Sequence, residues 1–241
     1  GMAMYAPEYL LAVRRLCDQY QVHWIADEIA VGFGRTGTMF AHQQALLPDG
    51  SHVKPDFICL SKGLTGGVMP LSAVLTTDEV YAAFWDERVV HGFLHSHSYT
   101  GNPLACRAAL AVLDTFAARD DQGLDVLARN RVAADRFMAM TEPLRRHPRI
   151  KASRQMGMIW AWDVDTAEPT FASRYHRAAM AAGLLLRPIG PTLYVMPPYV
   201  LTEADQRFLA DGMLRVLDQV LAEIDALPDA AASTAPVVPV P

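Results

Sequence analysis

The stretch that most limits what this chain can fold into is the apolar run of residues 56–60, followed at once by Ser61-Lys62-Gly63-Leu64-Thr65-Gly66-Gly67. A continuous apolar run of that length, bounded by turn residues and without a helical period, predicts a buried strand. Lys62 then stands just past a strand's carboxyl end, where open α/β sheets keep their ligands. Lysine is scarce here, since only Lys54, Lys62 and Lys151 occur. Lys62 therefore reads either as a solvated loop residue or as a desolvated amine used as a nucleophile, because burial disfavours the ammonium form.

The segments before this strand supply a frame for it. Pro7-Glu8 followed by Leu10, Val13, Leu16, Cys17 and Tyr20 predicts an opening helix with one apolar face. Residues 22–26 read as a strand with Asp27-Glu28 at its carboxyl end, where an aspartate is either a surface cap or an anion that meets a bound cation. Gly32-Phe33-Gly34-Arg35-Thr36-Gly37 matches the G-x-G-x-x-G pattern. A dinucleotide site needs a helix directly after the glycines and an acid closing the next strand. Here the next segment is irregular and Asp56 precedes its strand, so a structural loop is expected.

Residues 71–75 predict a further strand, and Thr76-Thr77-Asp78-Glu79 caps a short helix. Residues 91–101 are rich in histidine, hydroxyls and glycine; with no carboxylate or cysteine nearby, a polar loop facing a site is expected rather than a metal centre. Asn102-Pro103 starts a helix as N-cap and N1, with Leu104, Ala108, Ala109, Ala111 and Val112 as its packing face. A second helical pattern covers 123–146, residues 156–162 read as a strand with both tryptophans on one face, and 171–182 as a helix ending at Gly183. Strands are expected at 184–187 and 192–196, and Thr202 caps a last long helix.

Residues 1–118 thus read as an α/β unit, 119–226 as a smaller α+β unit, and 227–241 as a patternless Pro/Ala tail, with chemistry expected in the cleft between the units. A net charge of -5 argues against nucleic acid or an anionic membrane as partner, and no apolar run approaches membrane-spanning length. Cys17, Cys59 and Cys106 are read as reduced core thiols, and the start carries no basic, then apolar, leader pattern, so a cytoplasmic setting is expected.

Taken together, Asp27-Glu28-Ile29 with the 32–37 loop, Ser61-Lys62-Gly63 with Gly66-Gly67, and His95-Ser96-His97-Ser98-Tyr99-Thr100-Gly101-Asn102-Pro103 resemble the class III aminotransferases of the fold-type I pyridoxal-phosphate enzymes. The resemblance spans about residues 2–224. It implies that Lys62 holds the cofactor covalently and moves the proton, that Asp27 pairs with the pyridinium nitrogen, and that Ile29 lies on one ring face. It implies that Ser98 and the backbone of His97 bind phosphate across a homodimer, that Ser96 lies near substrate, and that Arg187 anchors a substrate carboxylate. Serine at 98 and histidine at 97 stand where threonine and proline are commoner in the family.

The run of residues 186–199 is similar to a branch of the family in biotin synthesis that uses S-adenosylmethionine as amino donor for 8-amino-7-oxononanoate. An ω-amino acid or diamine aminotransferase, and a non-catalytic subunit of a split enzyme, are the alternatives. Family members carry a preceding half that supplies a phosphate loop, a stacking aromatic and sheet strands. The chain is therefore expected to be a carboxyl-terminal part of such an enzyme, weakly active or inactive alone.

Overall fold

A computed structural model describes residues 2–227. Pro7 at N1 and Glu8 in the first turn open α1 (Pro7–Tyr20), which ends where Gln21 turns left-handed. Then come β1 (Ile25–Asp27), β2 (Phe57–Leu60), β3 (Ala73–Thr76), α2 (Asp78–Ala82), α3 (Pro103–Ala117), α4 (Val126–Met140) and α5 (Glu142–Arg145). The chain finishes with β4 (Ile150–Met156), β5 (Ile159–Val164), α6 (Phe171–Ala181), β6 (Thr192–Val195) and α7 (Glu203–Asp225). The tail reading of 227–241 falls, but for Leu227, outside the described residues.

Two three-stranded sheets result. In the first, β1 runs parallel to β2, with Asp27 level with Cys59, and β3 pairs antiparallel on the other side of β2. In the second, β4, β5 and β6 are antiparallel. The second sheet and helices α4, α6 and α7 enclose one large core around Phe137, Trp160, Trp162, Tyr175, Leu193 and Leu217. Among the described residues the first sheet has two small clusters, one around Phe33, Leu60 and Leu64 and one around Trp24, Ala45 and Val53. Ile25, Val74, Leu75, Trp85, Val90 and Phe93 in that half are exposed.

Several expectations are corrected. Residues 184–187 form no strand: the Leu184 N–H donates to Ala179 O at 2.8 Å, closing α6 instead, and Pro188 has no N–H to offer a ladder. The expected strand at 156–162 is two strands, because Gly157 (φ +54) and Met158 form a two-residue hairpin turn that pairs Met156 with Ile159. The packing face of α3 is Ala105 and Ala109, which leaves Leu104, Ala111 and Cys106 exposed; Cys106 is no core thiol. Cys17 and Cys59 are half-buried.

The strands that carry the site are held at their entry by Asp56. Its Oδ2 accepts from the Trp24 N–H at 2.7 Å and from Arg14 Nη1 at 2.9 Å, which joins α1 to the starts of β1 and β2. Burial pushes the Asp56 carboxyl up, but the Trp24 N–H and the Arg14 guanidinium outweigh it and hold the group below the usual range. A carboxyl depressed in the folded state stabilises fully above its unfolded pKa of about 3.9, and that contribution is lost as pH falls through the folded value. Asp56→Asn is expected to cost about 1–3 kcal/mol near pH 7. Urea midpoints of variant and wild type should converge between about pH 5 and pH 2; a gap independent of pH would contradict the assignment.

Candidate active site

The two parallel strands end side by side, and their carboxyl ends define the site. Asp27 closes β1, and Lys62 follows β2 by two residues, so neighbouring strands spaced at about 4.8 Å carry the carboxylate and the amine to one edge. Lys62 opens a 3₁₀ turn (Lys62–Thr65) in which the Leu64 N–H donates to Ser61 O at 3.0 Å. Ser61 Oγ donates to Leu71 O at 2.8 Å and fixes the turn from beneath. Lys62 itself has φ +46, a left-handed backbone that costs a non-glycine residue on the order of 1–2 kcal/mol. The turn is held in this strained form by packing: a Cβ at Gly63 would lie 2.8 Å from Phe33 Cβ, so Phe33 is seated directly against the backbone after the lysine.

Phe33 is the pivot between the two halves of the molecule. Its ring is buried against Phe40 and Phe116, and its carbonyl accepts from Tyr199 Oη at 2.8 Å. Arg35 stacks its guanidinium 4.5 Å above the Tyr199 ring and donates through Nη1 to Pro197 O at 2.7 Å. Burial lowers the Arg35 pKa from its ordinary value, and the neighbouring Tyr199 offsets part of that. The Met158 N–H donates to Arg35 O at 2.9 Å, so the glycine-rich loop is tied to β5 as well. No α-helix directly follows this loop among the described residues, only a 3₁₀ turn at Ala41–Gln44, and the loop's contacts join the second sheet to the first.

Between the halves lies a cavity of ≈ 990 Å³ whose wall includes Ile29, Phe33, Arg35, Lys62, Gly66 and Tyr199. Ile29 and Lys62, both expected at the site, thus share one space. Asp27 is exposed and is not part of the cavity wall; its Oδ1 accepts from the Ile29 N–H at 3.0 Å, which orients the carboxylate at the strand end. Lys62 is exposed too, so of its two readings the structure of this chain shows the solvated amine and not the desolvated one.

The remaining expected residues are not brought to the cavity. Ser96, His97 and Ser98 lie in an exposed loop, where the His97 N–H donates to Thr100 Oγ1 at 3.1 Å and His97 Nδ1 accepts from the Tyr99 N–H at 3.1 Å. Arg187 is exposed and lies outside the cavity wall. Among the described residues no group of three or more His, Cys, Asp or Glu side chains could hold a metal ion.

Sequence reading passed over Glu28 and His42. Glu28 is 2% exposed, and its carboxylate accepts from Ala41 N–H at 2.6 Å, His42 N–H at 2.9 Å and His42 Nδ1 at 2.7 Å. The only local sign of this was an acid placed directly after Asp27, since its partners come from a turn more than ten residues away.

The side chains present suit the ring of a pyridoxal cofactor: an amine for its aldehyde, a carboxylate for its ring nitrogen and a branched apolar side chain for one face, at the edge of a cavity large enough to admit it.

Comparison with known proteins bears on what this edge serves. The family model described as aminotransferase class-III matches residues 1–217. The chain is 40% identical over 228 residues to the adenosylmethionine-8-amino-7-oxononanoate aminotransferase of Helicobacter pylori, covering 91% of this chain and 49% of that protein. It is 38% identical to the protein of the same name from Synechococcus elongatus, covering 91% of this chain and 50% of the relative. The crystal structure of the Methanocaldococcus jannaschii protein of that name superposes with a TM-score of 0.79 at 32% identity, over 91% of this chain and 51% of that one. A thermostable ω-transaminase from Thermomicrobium roseum superposes with a TM-score of 0.76 at 27% identity, over 88% and 47% of the two chains. The chain spans about half the length of the curated relatives it matches.

Proposed function

Because the chain belongs to the class III aminotransferases, we propose that it carries the lysine-bearing part of an enzyme that transfers an amino group from S-adenosylmethionine to 8-amino-7-oxononanoate, giving 7,8-diaminononanoate for biotin synthesis. Its α/β fold is that of the fold-type I pyridoxal-phosphate enzymes. The observation that carries the reading is the placement of Lys62 and Asp27 at the ends of paired parallel strands, with Ile29 in the same cavity as the lysine. The relatives' shared name supplies the substrates.

In this reading pyridoxal phosphate, when bound, supplies a protonated ring that withdraws electrons from the reacting carbon. Asp27 holds the proton on the ring nitrogen through its charge, and Ile29 covers one ring face. The Lys62 amine would hold the cofactor through its aldehyde and would carry the proton that moves between the reacting carbons.

Residues 1–118 are assigned to the cofactor-binding unit and 119–226 to a smaller unit that closes on it. The exposed apolar side chains of the first sheet and of residues 84–94 support contact with further protein, since patches of this kind mark interfaces. We assign to that contact a second copy, which would bring Ser98 and His97 to the cofactor phosphate, with Ser96 and Arg187 engaging substrate after closure. The cytoplasm is the proposed setting; no helix among the described residues is long and apolar enough to cross a membrane.

The test is growth of a bacterium that lacks this aminotransferase. Co-expression of this chain with the amino-terminal half of the Helicobacter pylori relative is expected to restore growth without biotin, and Lys62→Ala to abolish it. No growth, combined with transfer from diamines or ω-amino acids to pyruvate in the same extracts, would replace this substrate assignment with that of the ω-transaminases.

A further inference from the structure

Glu28 lies between the two residues assigned to the cofactor ring, and every polar group it has is engaged. Its N–H donates to Cys59 O at 3.0 Å, extending the β1 to β2 pairing by one residue. Its carbonyl accepts from the Gly32 N–H at 2.8 Å, and a Cβ at Gly32 would stand 2.9 Å from that oxygen, so only glycine allows the approach. Its buried carboxylate takes three donors from Ala41 and His42, at 2.6–2.9 Å. His42 is itself buried and stacks on Phe40, with ring centroids 5.9 Å apart and planes 7° apart.

We propose that the buried Glu28–His42 pair is the positioning element for Asp27, clamping the backbone on which Asp27 and Ile29 are displayed. The proposal rests on the reading that Asp27 faces the ring nitrogen of pyridoxal phosphate. Its physical basis is the burial pattern where β1 passes into a turn: Glu28 is buried, while Asp27 at the strand end is exposed and Ile29 in the turn is half-buried at the cavity wall. Anchoring Glu28 from the inner side fixes the short turn in which the Ile29 N–H meets the Asp27 carboxylate. A carboxylate is an acceptor only, so three converging donors specify it; glutamine in its place turns one acceptor into a donor facing a donor. The Nδ1 of His42 must carry its proton to bond Glu28, which holds for the neutral Nδ1–H tautomer and for the charged ring alike.

The test compares the chain as it stands with Glu28→Gln, His42→Ala and His42→Asn, the last of which places an amide N–H near the position of Nδ1. Amide hydrogen exchange is read at Ile29, with Leu193 in β6 as an internal control. Exchange at Ile29 is expected to rise about tenfold or more in Glu28→Gln and His42→Ala, to return toward wild type in His42→Asn, and to stay unchanged at Leu193. Unchanged exchange at Ile29 in variants whose Ala41 and His42 amides have opened would overturn the proposal. Should Glu28→Gln fail to fold, the two His42 variants decide the matter.

A second readout uses pyridoxal phosphate labelled with ¹⁵N in the ring. The ring signal is expected at the protonated position in wild type and shifted toward neutral in His42→Ala. A wild-type chain with a neutral ring signal would refute the assignment of Asp27 to the cofactor, while the exchange at Ile29 would still decide whether the clamp exists.

Discussion

Gly157→Ala is expected to destabilise the chain by about 2–5 kcal/mol, combining overpacking with left-handed strain. A Cβ at this position would lie 2.4 Å from Gly37 N and Thr36 C and 2.7 Å from Arg35 O. All three are backbone atoms, so no side chain can rotate out of the way; the hairpin or the glycine-rich loop must move bodily. Movement of either lengthens the bond from the Met158 N–H to Arg35 O and disturbs Arg35 where it grips Pro197. The loss should appear in urea unfolding as a lower midpoint. The second sheet keeps its own large core, so the tryptophan environment of Trp160 and Trp162 should survive after contact between the halves is lost. Two coincident transitions with an unchanged midpoint would show that the loop does not join the halves as described.

The organisation around Lys62 was legible because it is written locally. An apolar run, a lysine and glycines at turn spacing specify strand, turn and ligand edge without reference to distant residues. The helix starts were legible for the same reason: Asn102 Oδ1 caps α3 at the Leu104 and Ala105 N–H groups, and Thr202 with Asp205 forms the capping box of α7. What sequence reading missed is decided by distant contacts. The strand β4 has no apolar alternation, since Lys151, Ala152 and Ser153 are exposed at the sheet edge, and only pairing with β5 makes it a strand. Residues 184–187 carry the apolar content of a strand but spend their backbone groups on the end of α6, with Leu186 O bonded to His176 Nδ1 at 2.7 Å.

Lys62 and Asp27 stand out in the sequence because they flank strand ends, whereas the place of Ile29 is implied by the resemblance. Glu28 does not stand out, because its role depends on a turn at Ala41 and His42. The composition of residues 91–101 predicts a polar loop facing a site, whereas the individual roles of Ser96, His97, Ser98 and Arg187 are implied by resemblance alone. These four residues lie exposed and outside the cavity wall.

The largest functional effect is expected at Lys62. Its replacement by alanine should eliminate covalent capture of pyridoxal phosphate at the cavity, because among the described residues no other lysine lines its wall. Arginine in its place keeps the charge but is not expected to substitute, since a guanidinium stays protonated and cannot form the bond. The comparison is sharpened by accessibility. Lys54, Lys62 and Lys151 are all exposed, and Lys151 is ion-paired with Asp165 at 2.8 Å, so exposure alone gives a reagent no reason to prefer Lys62.

The measurement that tests the central claim most directly is borohydride reduction of the chain after incubation with pyridoxal phosphate, followed by peptide mapping of the label. The site described here predicts label at Lys62 in excess of Lys54 and Lys151 by about tenfold or more, the factor that ~1.4 kcal/mol of added affinity supplies, and none at that peptide in Lys62→Ala. Label absent from Lys62, or spread evenly over the three lysines, would contradict it.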